Sequence, residues 1–284
     1  MKTRIISGVV MGAIVALALA LGLYVENLIL TCFVAIVAAL GVFELVGNAA
    51  KINNIIFRVL SAVYTVGMVF IFCTVNENLY RLNVTNYEYL DISAFIWAIM
   101  ITVIYVIVTA ILILVKHEEF DLAKISVICA MPFLYAFAFS SIASIIIATG
   151  KIYYLLLVLN FACVCDMGAY FVGISIGKTK LCPQISPKKT VEGALGGIVS
   201  SMIITVVITL CYGYFDKVLP TLLITIPLCV VGMTGDLFAS IIKRKVGIKD
   251  YGDLIPGHGG ILDRVDSILF ICPLVYCLML VGVI

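Results

Sequence analysis

The sequence is poor in charge: Asp, Glu, Lys and Arg make up 12% of its 284 residues, against about 25% in an ordinary soluble domain. Neither sign dominates. With 18 Lys and Arg against 16 Asp and Glu the net charge is +2, so the chain lacks the basic excess of a nucleic-acid binder, and no nucleic acid is expected as a partner. Histidine occurs twice and tryptophan once. No CxxC pair occurs, and His117 and His258 have no zinc-like spacing to any cysteine. The ten cysteines do not suggest a disulfide framework: Cys32, Cys73, Cys129, Cys163, Cys165, Cys211, Cys229, Cys272 and Cys277 fall in apolar runs and Cys182 alone in a polar loop. They read as small hydrophobes. What fills the chain is apolar side chain, 64% of the residues, with a mean hydropathy of +1.24. A soluble globular enzyme, a disordered chain and a coiled coil are excluded, and an integral membrane protein remains.

Apolar runs lie near 5–24, 28–47, 55–75, 92–115, 122–148, 152–177, 193–214, 219–242 and 262–284. With no water to satisfy the backbone, such runs form helices, and about 20 residues cross a bilayer. The sequence therefore predicts an all-α polytopic membrane protein of about nine spans. The first run is longer than the apolar stretch of a signal peptide and leads directly into another, which predicts a first transmembrane helix. Pro132 lies within 122–148, a run long enough to tilt or break.

Placing the N-terminus in the cytoplasm and alternating sides puts Lys2, Arg4, Lys51, Arg58, Lys116, Lys124, Lys178, Lys180, Lys188, Lys189, Lys243, Arg244, Lys245, Lys249 and Arg264 inside, and Arg81, Lys151 and Lys217 outside. That bias, fifteen to three, predicts a cytoplasmic N-terminus and an external C-terminus. Splitting 122–148 into two spans would send the basic 178–190 and 243–249 loops outside. The organisation expected is about five spans in 1–150 and about four in 151–284, with cytoplasmic loops 178–192 and 243–261, in one membrane-embedded unit. Internal repeats, low-complexity tracts and extramembrane domains are not evident. Tyr80, Tyr87 and Tyr89 in the external loop near 76–91 suit an interfacial aromatic belt, and Asn83-Val84-Thr85 has the form of a glycosylation sequon.

In so apolar a chain the positions of polar residues carry information. Asp236, Asp250, Asp253, Asp263 and Asp266 fall between 236 and 266, together with Lys243, Arg244, Lys245, Lys249, His258 and Arg264. Asp166 lies within the sixth run. A carboxylate inside a span costs about 2.5–3.5 kcal/mol on insertion scales and so faces a cavity, a partner or an ion; a structural ion pair between helices is the plain alternative. Glu44, nearer a helix end, reads equally as interfacial. Asp263 and Asp266, three apart, share a helix face and suit a hard divalent cation such as Mg²⁺. Arg264 and Lys243-Arg244-Lys245 would pair with phosphates, unless they form a basic collar at the lipid headgroups.

Gly257-His258-Gly259-Gly260 forms a glycine-flanked turn opening the last helix, whose N-terminal N–H groups could receive an anion. In Ser186-Pro187-Lys188-Lys189-Thr190-Val191-Glu192-Gly193, two lysines and two hydroxyls could bind a triphosphate or a lipid phosphate. Ser186-Pro187 equally fits the N-cap and first position of a helix. The residues thus describe a cytoplasm-facing site equipped for a divalent metal and several phosphates. No serine or cysteine nucleophile with a nearby base is visible, and phosphoryl chemistry driven by positioning and charge neutralisation needs none.

From Ser240 to Asp266, including Lys243-Arg244, Lys249-Asp250, Ile255-Pro256-Gly257-His258-Gly259-Gly260 and Asp263-Arg264-Val265-Asp266, the sequence resembles the C-terminal signature of the phosphatidate cytidylyltransferases, or CDP-diacylglycerol synthases. Asp166–Gly177 (DMGAYFVGISIG) and Ser186–Gly193 (SPKKTVEG) are similar to further stretches of that family, while the first 150 residues match it only as a hydrophobic multi-span pattern. The resemblance implies the reaction CTP + phosphatidate → CDP-diacylglycerol + pyrophosphate, dependent on Mg²⁺ and leaving room for a second, monovalent cation. It also implies a homodimer in the inner or plasma membrane that feeds phospholipid synthesis, with its site facing the cytoplasm.

On that footing Asp236, Asp263 and Asp266 are the expected metal ligands, with Asp166 and Asp250 as further acidic members. Ser186, Lys188, Lys189, Thr190, Lys243, Arg244, Lys249 and Arg264 would hold the CTP triphosphate or the phosphatidate headgroup. His258, Gly259 and Gly260 would shape the nucleotide loop, with a proton-transfer role for His258 allowed but not required. Alternatives are a cytidylyltransferase for an ether or archaeal lipid phosphate, and an ion-coupled transporter using Asp166 and Asp236. A CDP-alcohol phosphotransferase is disfavoured because its DxxDGxxAR pattern is absent.

Overall fold

The computed structural model describes residues 2–85 and 92–284, with backbone alone for 2–5, 79–85 and 148. Tyr80, Arg81, Tyr87, Tyr89 and the Asn83–Thr85 sequon therefore lie outside the described side chains. The chain divides into two compact units, Met1–Gly150 with Asp250–Arg264, and Lys151–Lys249 with Val265–Ile284.

The first unit holds α1 (Lys2–Tyr24), α2 (Asn27–Glu44), α3 (Ile55–Thr85), α4 (Ser93–Val115) and α5 (Leu122–Thr149). Apolar length makes each a helix, and α2, α3 and α5 pack on one another. Among apolar side chains in lipid, buried hydroxyls and amides supply specific contacts. Tyr105 donates to the Ile128 carbonyl at 2.8 Å and meets Ser61 at 2.9 Å, and Asn76 Nδ2 donates to Ser144 Oγ at 2.9 Å. That last bond falls where the apolar pattern ends, and α3 runs on to Thr85, into the segment expected to be loop. Pro132 does not break α5, which is continuous to Thr149 and closes on Gly150 in the left-handed region (φ 61°). Beyond α2 the chain takes a π turn, Leu45–Ala49.

In the second unit, α6 (Ile152–Leu159), a π turn (Asn160–Val164) and α7 (Cys165–Ile176) continue one another. A hairpin of β1 (Lys180–Cys182) and β2 (Ser186–Thr190) then precedes α8 (Val191–Cys211) and α9 (Val218–Val246). The all-α expectation holds apart from this hairpin. The helix-cap reading of Ser186-Pro187 does not: both residues lie in β2, and the N-cap of α8 is Thr190, whose Oγ accepts the Gly193 N–H at 3.1 Å. Val191 N–H donates to the Thr179 carbonyl and Glu192 accepts the N–H groups of Lys178 and Thr179. Those bonds tie the hairpin to the start of α8, which lets the chain delay the helix by four residues past Ser186.

Helices α7 and α8 pack glycine to glycine. A Cβ on Gly197 would stand 2.5 Å from the Cys165 carbonyl, and one on Gly193 2.6 Å from that of Ala169. Between α8 and α9 runs a hydroxyl seam in which Thr205 meets Thr225 at 3.0 Å, and Asn160 Nδ2 donates to Thr205 Oγ at 2.9 Å and to the Ser201 carbonyl at 3.0 Å.

Among the described residues, eight helices are long and apolar enough to cross a membrane, matching the first eight expected runs. The ninth run corresponds to α10 (Leu262–Leu280), which opens with Asp263, Arg264 and Asp266. These charges set it apart from the other eight, and the division between the two units falls inside it, after Arg264.

Candidate active site

The candidate residues gather in two places, one in each unit.

In the second unit, Asp166 stands in the first turn of α7, directly after the π turn. Such turns widen a helix and recur at functional sites. Asp236 lies on α9 and Asp266 on α10, and Gly235 explains how these two helices approach. A Cβ there would stand 2.9 Å from the Phe270 ring and 3.1 Å from the Asp266 carbonyl oxygen, so only glycine lets the backbones close at this level. The result is a cluster of like charges. Asp166 lies within electrostatic reach of Asp236 and Lys189, and Asp266 within reach of Asp236, Lys243 and Asp166.

Lys189, half-buried on β2, forms an ion pair with Asp236. Adjacent strand residues face opposite ways, and Lys188 is exposed. Thr190 is 5% exposed, its hydroxyl spent on the α8 cap. Lys243, Arg244 and Lys245 form the last turn of α9, where cations complement the helix dipole. The helix closes there on Gly247 (φ 76°), and Ile248 N–H donates to the Lys243 carbonyl at 2.9 Å. Lys243 is half-buried, while Arg244, Lys245 and Lys249 are exposed.

In the first unit the 250–264 segment is a tightly bonded loop. Ile255 N–H donates to the Gly259 carbonyl at 2.9 Å, and the N–H groups of His258 and Gly259 return to the Ile255 carbonyl. Gly257 and Gly259 sit at φ 77° and 85°, which admits glycine readily and little else. Asp263 Oδ2 accepts the N–H of Tyr251 at 2.7 Å and of Gly260 at 3.0 Å. Ser7 on α1 donates to the Pro256 carbonyl at 3.0 Å and stands 2.8 Å from His258 Nδ1. Asp250 and Arg264 are exposed.

One expectation needs correcting. Two N–H groups at the entry to α10 are already taken by protein carboxylates. Gly260 N–H goes to Asp263, and Leu262 N–H goes to Glu44 Oε2 at 3.3 Å. Gly260 makes room for Glu44: a Cβ there would stand 2.5 Å from Glu44 Oε2. Glu44, Asn48 and Ser7 are the residues that the pattern did not mark as site members. Gly252 and Gly260 were the available signal, since glycines spaced along one loop announce close approach without naming what approaches.

The chemistry these groups can perform is limited and specific. Three carboxylates with two lysines can hold a cation and polyanionic phosphates together. Among the described residues, no three His, Cys, Asp or Glu side chains are gathered closely enough to cage an ion unaided. Hard oxygen donors short of a full set fit a divalent ion of the Mg²⁺ kind, which keeps waters and completes its shell with substrate phosphates.

The cytidylyltransferase family model matches residues 2–281. Proteins named phosphatidate cytidylyltransferase resemble the chain over part of its length. The one from Bacillus subtilis (strain 168) is 50% identical over 123 residues, 42% of this chain and 46% of the relative. That from Aquifex aeolicus (strain VF5) is 44% identical over 131 residues, 46% and 48% of the two chains. That from Synechocystis sp. (strain ATCC 27184 / PCC 6803 / Kazusa) is 46% identical over 126 residues, 43% and 42%. In each case the matched stretch spans less than half the length of the relative.

Proposed function

The chain belongs to the cytidylyltransferase family, and from that premise we propose that it transfers the cytidylyl group of CTP to phosphatidate, releasing pyrophosphate and leaving CDP-diacylglycerol in the bilayer. The observation that carries this reading is the grouping of Asp166, Asp236 and Asp266 with Lys189 and Lys243 in one helical unit. A lipid phosphate monoester with a second pKa of about 6 is largely dianionic at neutral pH. It can attack the α-phosphorus of CTP in line without a general base. The obstacle is bringing two polyanions together, so catalysis consists of positioning and charge neutralisation.

Lys189 and Lys243 would bind phosphate oxygens, and Lys188, Arg244, Lys249 and Arg264 would draw the anions in. Ser186 would add a hydroxyl for the phosphates, and the Thr190 hydroxyl, which caps α8, would hold the lysine strand in place. Asp236 and Asp266 would hold Mg²⁺, with Asp166 beside them, and Asp263 enters the ligand set from the resemblance; the cation would neutralise phosphate charge and polarise the α-phosphorus. A further, monovalent cation would fit the same acidic surplus. His258, Gly259 and Gly260 would shape the nucleotide loop, and Asp250 would add a further carboxylate beside it.

The fifteen-to-three distribution of basic residues supports a cytoplasmic N-terminus, an external C-terminus and a site reached from the cytoplasm of a cell membrane. We extend the reading to a homodimer on the resemblance alone. Radiolabelled CTP turnover in membranes containing the protein, with and without phosphatidate and Mg²⁺, tests the proposal. Lipid-soluble label that requires both additions is expected. Label that ignores phosphatidate would overturn it, and label that appears only with an ether-linked phosphate would reassign the acceptor.

A further inference from the structure

We propose that Glu44 is a positioning residue: a carboxylate from α2 that caps α10 from 218 residues away and holds the 251–262 loop in its working shape. This rests on the cytidylyl-transfer reading for its kinetic consequence but not for the clamp itself.

Glu44 is 8% exposed, and a buried carboxylate is costly unless its surroundings hold it. Its Oε2 accepts the Leu262 N–H at 3.3 Å, and the neighbouring Ile261 N–H also favours the charged carboxylate. These are N–H groups that the start of a helix leaves without intrahelical partners, and a negative charge there also complements the helix dipole. A capping side chain ordinarily comes from the residue just before the helix; here it comes from another helix. The loop is built around it on both sides. A Cβ on Gly252 would stand 2.5 Å from Glu44 Oε1, and one on Gly260 2.5 Å from Oε2. Both glycines are thus fitted to this one carboxylate. Four residues on, in the π turn, Asn48 Nδ2 donates to the Tyr251 carbonyl at 2.6 Å. One helix end therefore grips the loop at its entry, through Asn48, and at its exit, through Glu44. Between the two grips Asp263 accepts the Tyr251 and Gly260 N–H groups, so the direction of Asp263 and Arg264 depends on the loop staying closed.

Two readouts on the full chain in membranes test this. The first is amide hydrogen exchange over 251–262 in the wild type, Glu44→Gln and Glu44→Ala. Protection should fall at least tenfold at Ile261 and Leu262 in Glu44→Ala and less in Glu44→Gln, which keeps one acceptor oxygen. Unchanged exchange in Glu44→Ala would overturn the clamp, whatever the protein catalyses.

The second is steady-state kinetics per folded enzyme. A displacement of about 1 Å at a reacting centre can cost on the order of 10²-fold. Glu44→Ala should lose that much kcat and raise KM for CTP while KM for phosphatidate stays within twofold, and Glu44→Gln should recover part of the loss. Gly252→Ala should be similarly impaired because the three atoms nearest its methyl all belong to Glu44, and Glu44→Ala/Gly252→Ala should be no worse than Glu44→Ala. Losses that multiply, or normal kcat and KM in Glu44→Ala, would overturn the positioning role. A wild type with no CTP turnover would instead sink the cytidylyl-transfer reading, and the exchange result would still decide the clamp.

Discussion

At Asp263 a single carboxylate oxygen accepts the N–H groups of Tyr251 and Gly260, so charge and loop closure can be separated by substitution. An asparagine retains an oxygen able to accept both bonds, whereas alanine retains none. Asp263→Asn is expected to keep the melting temperature within a few degrees while losing more than about 10²-fold in turnover, the scale of a lost electrostatic contribution. Asp263→Ala should lose turnover and melt lower; thermal unfolding and CTP turnover on the same detergent-solubilised samples check both. Near-normal activity in Asp263→Asn would remove it from the proposed ligands. The Lys189–Asp236 pair poses the complementary question. Breaking one side of a desolvated ion pair leaves the other charge uncompensated, and groups in one network do not act additively. Lys189→Met and Asp236→Asn should each lower turnover by about 10²-fold, and the double variant should lose well under the product. Multiplicative losses would mean that the two residues act independently.

Among the elements, the hairpin and the helix it feeds are the clearest case of local chemistry overruling a motif. Ser before Pro is a sound helix start, yet the chain stays extended to Thr190, because Glu192 and the Thr179 carbonyl reach back and bond the strand side. The helix then begins where a threonine can cap it. Thr190→Val keeps the shape and removes the cap, which should cost about 1 kcal/mol, seen as a lower melting temperature that Thr190→Ser restores. An unchanged melting temperature in Thr190→Val would show that the cap contributes nothing. Helix α2 teaches a different lesson. Its apolar run is plain in the sequence, but nothing in its period marks Glu44 as more than an interfacial carboxylate. Its partners lie more than 200 residues away, and contacts at that separation leave no spacing to detect.

On the scale of the whole molecule, the balance of charge across the membrane makes a prediction independent of any catalytic assay. In a background with the ten native cysteines replaced, Gln184→Cys in the hairpin should react with a membrane-impermeant maleimide only from the cytoplasmic side. Asp216→Cys, between α8 and α9, should react only from outside. The reverse pattern would invert the proposed orientation, and labelling of both from one side would break the alternation on which the span count rests.

How much was legible beforehand follows from the range of each interaction. Apolar runs reveal membrane helices because a helix satisfies its own backbone hydrogen bonds and needs no partner to be stable in lipid; eight of the nine expected runs are long apolar helices, and the last differs through the charges at its head. The kind of chemistry was legible for a related reason, since in a chain this apolar each buried carboxylate and lysine stands out. What only the tertiary structure decided is which of those groups are already engaged. Asp236 faces Lys189, Asp263 closes a loop, and Glu44 fills the helix start that looked open to phosphate. A side chain's type is local and can be read from its place in the chain. Its partner is set by how distant helices pack, and only the folded molecule contains that.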